Sequence, residues 1–186
     1  MEAICSFGRF ARKLKAGRRL GTIGGRPPEP PLHHLLTDMS LERLTNLYEA
    51  LPQELVRALD VPIGKALNSR PASVARRPIE MRMKALRAFL KRTRDDTIAG
   101  ELLRAYLLGP RKDLVVSFLD ETGVAHEDGE IADDSEPDVE KVEAAVAKLL
   151  QEQAVEDVAL YLEIATRQWP ENEAVAKALA DLPSAA

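Results

Sequence analysis

Between residues 35 and 182, aliphatic side chains recur at spacings of three and four inside segments kept short by proline, glycine and capping residues. That spacing gathers them on one side of an α-helix, whereas a half-buried strand requires alternation. Residues 78–94 give the clearest case. Ile79, Met83, Leu86, Phe89 and Leu90 form an apolar stripe, and Lys84, Arg87, Lys91 and Arg94 form a basic row at the same spacings.

Other segments follow the pattern. Leu41, Leu44, Leu47, Tyr48 and Leu51 predict a helix capped by Thr37, Asp38 or Ser40. Pro52 opens a short second helix carrying Leu55, Val56 and Leu59. Residues 60–77, interrupted by Pro62, Gly64 and Pro71, read as a weakly structured connection. Asp95 and Asp96 are placed to cap a helix over 97–108, which Gly109 and Pro110 end. DLVVSFLD, starting at Asp113, fits helix or strand by composition; the spacing of Leu114, Val115, Phe118 and Leu119, with Gly123 as a stop, favours helix. Ser135 is expected to cap the next helix, with Pro137 in its first turn and Val139, Val142, Val146, Leu149 and Leu150 inward. Val155, Val158, Tyr161, Leu162 and Ala165 predict a helix over 153–168, and a short final helix enters around residues 170–172.

The expected fold is all-α: a compact bundle or irregular array of about six or seven helices. Aromatics make up only 4% of the chain, and its 45% apolar content rests mainly on Leu, Ala and Val, which disfavours a sandwich or a base-stacking sheet. Residues 35–182 read as a single helical domain, with room for two subdomains divided near 109–135. Residues 1–34 read as a basic tail and proline-rich spacer: Phe7, Phe10, Ala11 and Leu14 interleave with Arg9, Arg12, Lys13 and Lys15 before RPPEPP. The piece YLEIATRQWPENEAVAKAL resembles a boundary fragment of tetratricopeptide repeats. It spans about a tenth of the chain, and without a second copy at a period of about 34 residues it assigns no family.

Cys5 is the only cysteine, which excludes an internal disulfide and a multi-cysteine zinc site. No long uninterrupted apolar run is present, and the cations between Arg9 and Arg19 leave no room for a signal-peptide core. The expectation is a cytoplasmic protein without integral membrane association.

The net charge of -4 conceals a division. Residues 61–112 hold thirteen basic against four acidic side chains, and residues 113–186 hold four against nineteen. A basic centre is followed by an acidic carboxyl half.

The densest acidic stretch, FLDETGVAHEDGEIADDSEPD, carries nine carboxylates. It fails the calcium-loop pattern: counted from Asp120, Thr122 and Val124 stand at ligand positions and Ala125 replaces the glycine. His126 lacks a second histidine at zinc-binding helical spacing, and His33 and His34 lie far away in sequence. His126, Glu127 and Asp128 are the loop-site candidates for acid–base work, beside the plainer reading of a solvated turn that caps helices. Ser117 lies in no nucleophile elbow, and GTIGGR lacks the phosphate-loop lysine.

No catalytic residue, cofactor or metal ligand is assigned, and the non-enzymatic reading is favoured. The leading expectation is a helical protein–protein interaction or structural protein with separated basic and acidic surfaces. Its partner would be another protein or a second copy. The interaction surface is expected at Arg82, Lys84, Arg87, Lys91 and Arg94, widened by Arg76, Arg77 and Arg92. The alternative is a salt-sensitive nucleic-acid-associated protein using the same face, and the third reading is an enzyme with a dispersed site.

Overall fold

The computed structural model describes residues 31–93, 96–131 and 135–183. The basic arm, Arg94, and the acidic residues Asp95, Asp133 and Asp134 lie outside them. The chain divides into two compact units, Met1–Ala105 and Tyr106–Ala186. Among the described residues there are ten helices and one two-residue-per-strand hairpin, an all-α protein. The count exceeds six or seven partly because two short pieces, Leu32–Thr37 and Pro71–Val74, escape a test that needs several turns of periodicity.

The first unit holds α1 (Leu32–Thr37), α2 (Leu41–Glu49), α3 (Gln53–Ala66), α4 (Pro71–Val74) and α5 (Ile79–Arg92). It also holds most of α6 (Thr97–Leu108), the helix in which the division between units falls. Ser40 caps α2 by accepting the Arg43 N–H at 3.1 Å. Helix α5 is the hub, packing against α1, α2 and α3. Its Met83, Leu86 and Leu90 are fully or almost fully buried, as are Leu36, Leu44, Leu47 and Ile63.

The weak connection expected after residue 60 is instead helical, because α3 runs through Pro62 to Ala66. An internal proline costs about 3 kcal/mol in a lost bond and a steric clash. Burying Leu59 and Ile63, each worth roughly 1.5–3 kcal/mol, outweighs it. Gly64 then permits a tight corner: a Cβ there would lie 2.9 Å from the Ser69 carbonyl oxygen and 3.3 Å from Val74.

The second unit holds α7 (Lys112–Thr122), β1 (His126–Glu127), β2 (Glu130–Ile131), α8 (Val139–Glu152), α9 (Val155–Gln168) and α10 (Glu173–Ala180). DLVVSFLD is helical, ending at Gly123 in the left-handed conformation, φ +74°. Helix α8 packs against α7, α9 and α10, and the Phe118 and Tyr161 rings meet edge-on at 5.1 Å. The cap of α8 is Asp138, which accepts the Glu140 N–H at 3.1 Å. Ser135, the expected cap, instead offers its carbonyl oxygen to the Trp169 indole N–H at 3.0 Å. Pro137 likewise precedes the helix, with its carbonyl accepting from the buried Asn172 amide at 2.9 Å. The turn between α9 and α10 thus fixes the entry to α8, a long-range requirement that local capping chemistry does not reveal. Among the described residues, no helix is long and apolar enough to cross a membrane.

Candidate interaction surfaces

The basic row of α5 separates into inward and outward members. Because three helices pack against α5, its buried arc is wide and reaches residues that spacing alone assigns to solvent. Arg87 donates through Nη2 to the Met39 carbonyl at 2.5 Å. On the other flank, Arg82 lies over the Tyr48 ring at 5.4 Å and donates to its hydroxyl at 3.4 Å. Burial raises the Tyr48 phenol above its ordinary pKa despite the opposing Arg82 charge. Both arginines act as packing groups with charged heads.

Lys84 and Lys91 remain in solvent, with Arg92 beside them. Seven residues apart, the two lysines are separated by roughly 10 Å along the helix axis, with an angular offset of only about 20°. None of the three has an ion-pair partner among the described residues. Glu80 lies one turn before Lys84, so the strip is cationic mainly toward its carboxyl end. Arg76 and Arg77 are exposed just before the helix, with Arg77 donating to the Ser69 hydroxyl at 3.2 Å.

Within the acidic stretch of the second unit, residues 126–131 form a folded hairpin. His126 pairs with Ile131, and Glu127 with Glu130. Asp128 and Gly129 form the turn with φ +57° and +90°, the left-handed pair that suits a tight two-residue hairpin. Gly129 is buried against α6 and α7: a Cβ there would be 3.0 Å from Leu108 and 3.4 Å from Val115.

The three loop-site candidates therefore have definite positions. The His126 ring accepts the Gly129 N–H on Nδ1 at 3.2 Å and faces Asp120 with Nε2 at 3.1 Å. A neutral ring in this arrangement carries its proton on Nε2. Asp128 pairs with Lys112 at 2.9 Å, and that ammonium holds its carboxyl below the usual range. Glu127 is exposed on the strand. The Asp120 and Lys112 contacts close the hairpin onto α7, and the Gly129–His126 bond lies within the hairpin. Among the described residues, no group of three or more His, Cys, Asp or Glu side chains is arranged to hold a metal.

Two polar constellations escaped the sequence reading. Asp157, 5% exposed, accepts from the Tyr106 hydroxyl at 3.0 Å and from Arg111 Nε at 2.6 Å. Burial and the neighbouring carboxylate raise the Tyr106 phenol, while Asp157 outweighs desolvation to raise Arg111. In the first unit, Asp96 accepts the His33 N–H at 3.1 Å and faces its Nδ1 at 2.6 Å. Burial alone would raise the Asp96 carboxyl, but the His33 hydrogen bonds prevail and lower it. The legible signal for Asp157 was a carboxylate beside the inward Val158 on an otherwise apolar face.

No known family model matches this chain, and neither a curated protein nor a solved structure is significantly similar to it.

Proposed function

We propose that this chain is a non-enzymatic helical interaction scaffold, acting in the cytoplasm, that presents a cationic helix face on one unit and an acidic surface on the other. The observation that carries the reading is the outer strip of α5. There Lys84, Lys91 and Arg92 are exposed and unpaired among the described residues, while inward-turned Arg82 and Arg87 anchor the helix beneath them. A rigid helix holding free cations at fixed spacing favours an anionic partner, and such pairing sets orientation and encounter rate more than affinity. The charge balance supports a protein partner. The first unit's sequence carries twenty basic against eleven acidic residues, and the second's six against nineteen.

The test is fluorescence anisotropy of the full chain against two labelled anions of matched charge, a glutamate-rich peptide and a duplex DNA. Peptide binding is expected to weaken as salt is added and to fall sharply in K84E/K91E. Binding of the duplex alone would replace it with the nucleic-acid reading, and binding of neither would remove it.

A further inference from the structure

Three large hydrophobic side chains are notably exposed among the described residues: Val61, Met81 and Val139, at 47%, 44% and 61%. Two of them occupy the first turns of the hub helices. Met81 sits on α5, ahead of Lys84, Lys91 and Arg92. Val139 opens α8, ahead of Glu140 and Glu143, which are exposed and have no ion-pair partner among the described residues. The remaining exposed positions on these strips include small residues, Ala88 on α5 and Ala144 and Ala147 on α8, which permit close approach. Each strip thus combines one apolar anchor with a short row of charges that lack an ion-pair partner among the described residues, and the rows have opposite sign. The exposed Lys141 and Lys148 of α8 are paired with Asp138 and Glu121.

From this complementarity we infer that the α5 strip docks on the α8 strip of a second copy of the chain. The inference rests on the interaction reading above and names its partner. In a parallel alignment of the two helices, Met81 lies beside the other copy's Val139, and Lys84 falls within about one turn of Glu140 and Glu143. The surfaces differ, so each contact joins α5 of one copy to α8 of another, in a head-to-tail or a reciprocal two-fold pairing. Exposed ion pairs and a small apolar anchor make the association weak and salt-sensitive.

Sedimentation equilibrium of the full chain tests this across protein concentration. One series is run at 0.01 M ionic strength, where charges reach about 30 Å, and another at 1 M, where they reach about 3 Å. At low salt the weight-average mass rises above 20.5 kDa with concentration, and at high salt it falls back toward that value. K84E/K91E and E140K/E143K, which alter only exposed side chains, each remain monomeric with unchanged helicity. Mixing the two restores assembly, because the cationic strips of one variant then meet the anionic strips of the other. A monomer at every concentration in low salt overturns the inference, as does assembly that survives in both variants. If the glutamate-rich peptide still binds at Lys84 and Lys91 in that case, the interaction reading stands and only the second-copy partner falls.

Discussion

Arg87 Nη2 donates to the carbonyl oxygen of Met39, a residue 48 positions earlier in the chain. The bond ties the middle of α5 to the segment between α1 and α2, making Arg87 part of the first unit's internal structure. Arg87→Ala is therefore expected to destabilise the protein by about 1.5 kcal/mol, the low end of the range for hydrogen bonds that involve a charged group, because this one is only part-buried. Lys91→Ala, at an exposed position without a partner among the described residues, is expected to stay within about 0.5 kcal/mol of wild type. Urea denaturation of both variants gives the comparison directly.

The Asp157 carboxylate, held by Arg111 and Tyr106, joins the amino end of α9 to the residues flanking the α6–α7 turn. Asp157→Ala leaves a guanidinium and a phenol without this acceptor. The expected loss is about 2–3 kcal/mol, below the cost of breaking a fully buried pair because Arg111 is 38% exposed. Removing the negative charge also brings the Tyr106 phenol down toward its ordinary pKa. A spectrophotometric titration of tyrosine, comparing wild type with Asp157→Asn, reads that shift.

Asp96 has its carboxyl lowered because the His33 hydrogen bonds outweigh burial. A folded-state pKa below the unfolded value means that the ionised group contributes stability above the unfolded pKa. That contribution disappears as pH falls through the lower, folded value. Asp96→Asn is expected to lower stability at neutral pH and to flatten the acid limb of the pH–stability curve. Equal acid dependence in wild type and variant would remove this coupling.

Gly129 combines φ +90° with a Cβ position 3.0 Å from Leu108. Alanine there meets both a strained backbone and a crowded neighbour, so Gly129→Ala is expected to cost at least about 1–2 kcal/mol. The loss is expected to be local to the hairpin, with faster amide exchange across residues 126–131 and slower exchange preserved in α8. Nitrogen-15 spectra of wild type should also find the neutral His126 ring protonated on Nε2, because Nδ1 accepts from Gly129.

The helices were legible because each buries one periodic face: Met83, Leu86 and Leu90 on α5 and Val142, Val146 and Leu149 on α8 are inward as spacing predicts. Several misreadings turn on tertiary packing. Pro62 is tolerated because Leu59 and Ile63 pack, and Asp138 displaces Ser135 as the α8 cap where Trp169 claims the Ser135 carbonyl. Asp128 and Gly129 carried a local hairpin signal, but they sat within a stretch whose charge density suggested solvated turns. Of the candidate surface, Lys84 and Lys91 were readable as solvent-facing. The inward turn of Arg82 and Arg87 depends on Tyr48 and Met39, whose placement spacing within α5 does not encode.

The division of labour along α5 is tested most directly by measuring thermal stability and glutamate-peptide affinity together in K84E/K91E and in Arg87→Ala. The double reversal is expected to keep the wild-type Tm while weakening peptide binding by about tenfold or more, since two exposed attractions become repulsions. Arg87→Ala is expected to lower Tm while leaving affinity nearly unchanged in the folded fraction. A double reversal that binds the peptide as wild type does, or that unfolds, would contradict the account.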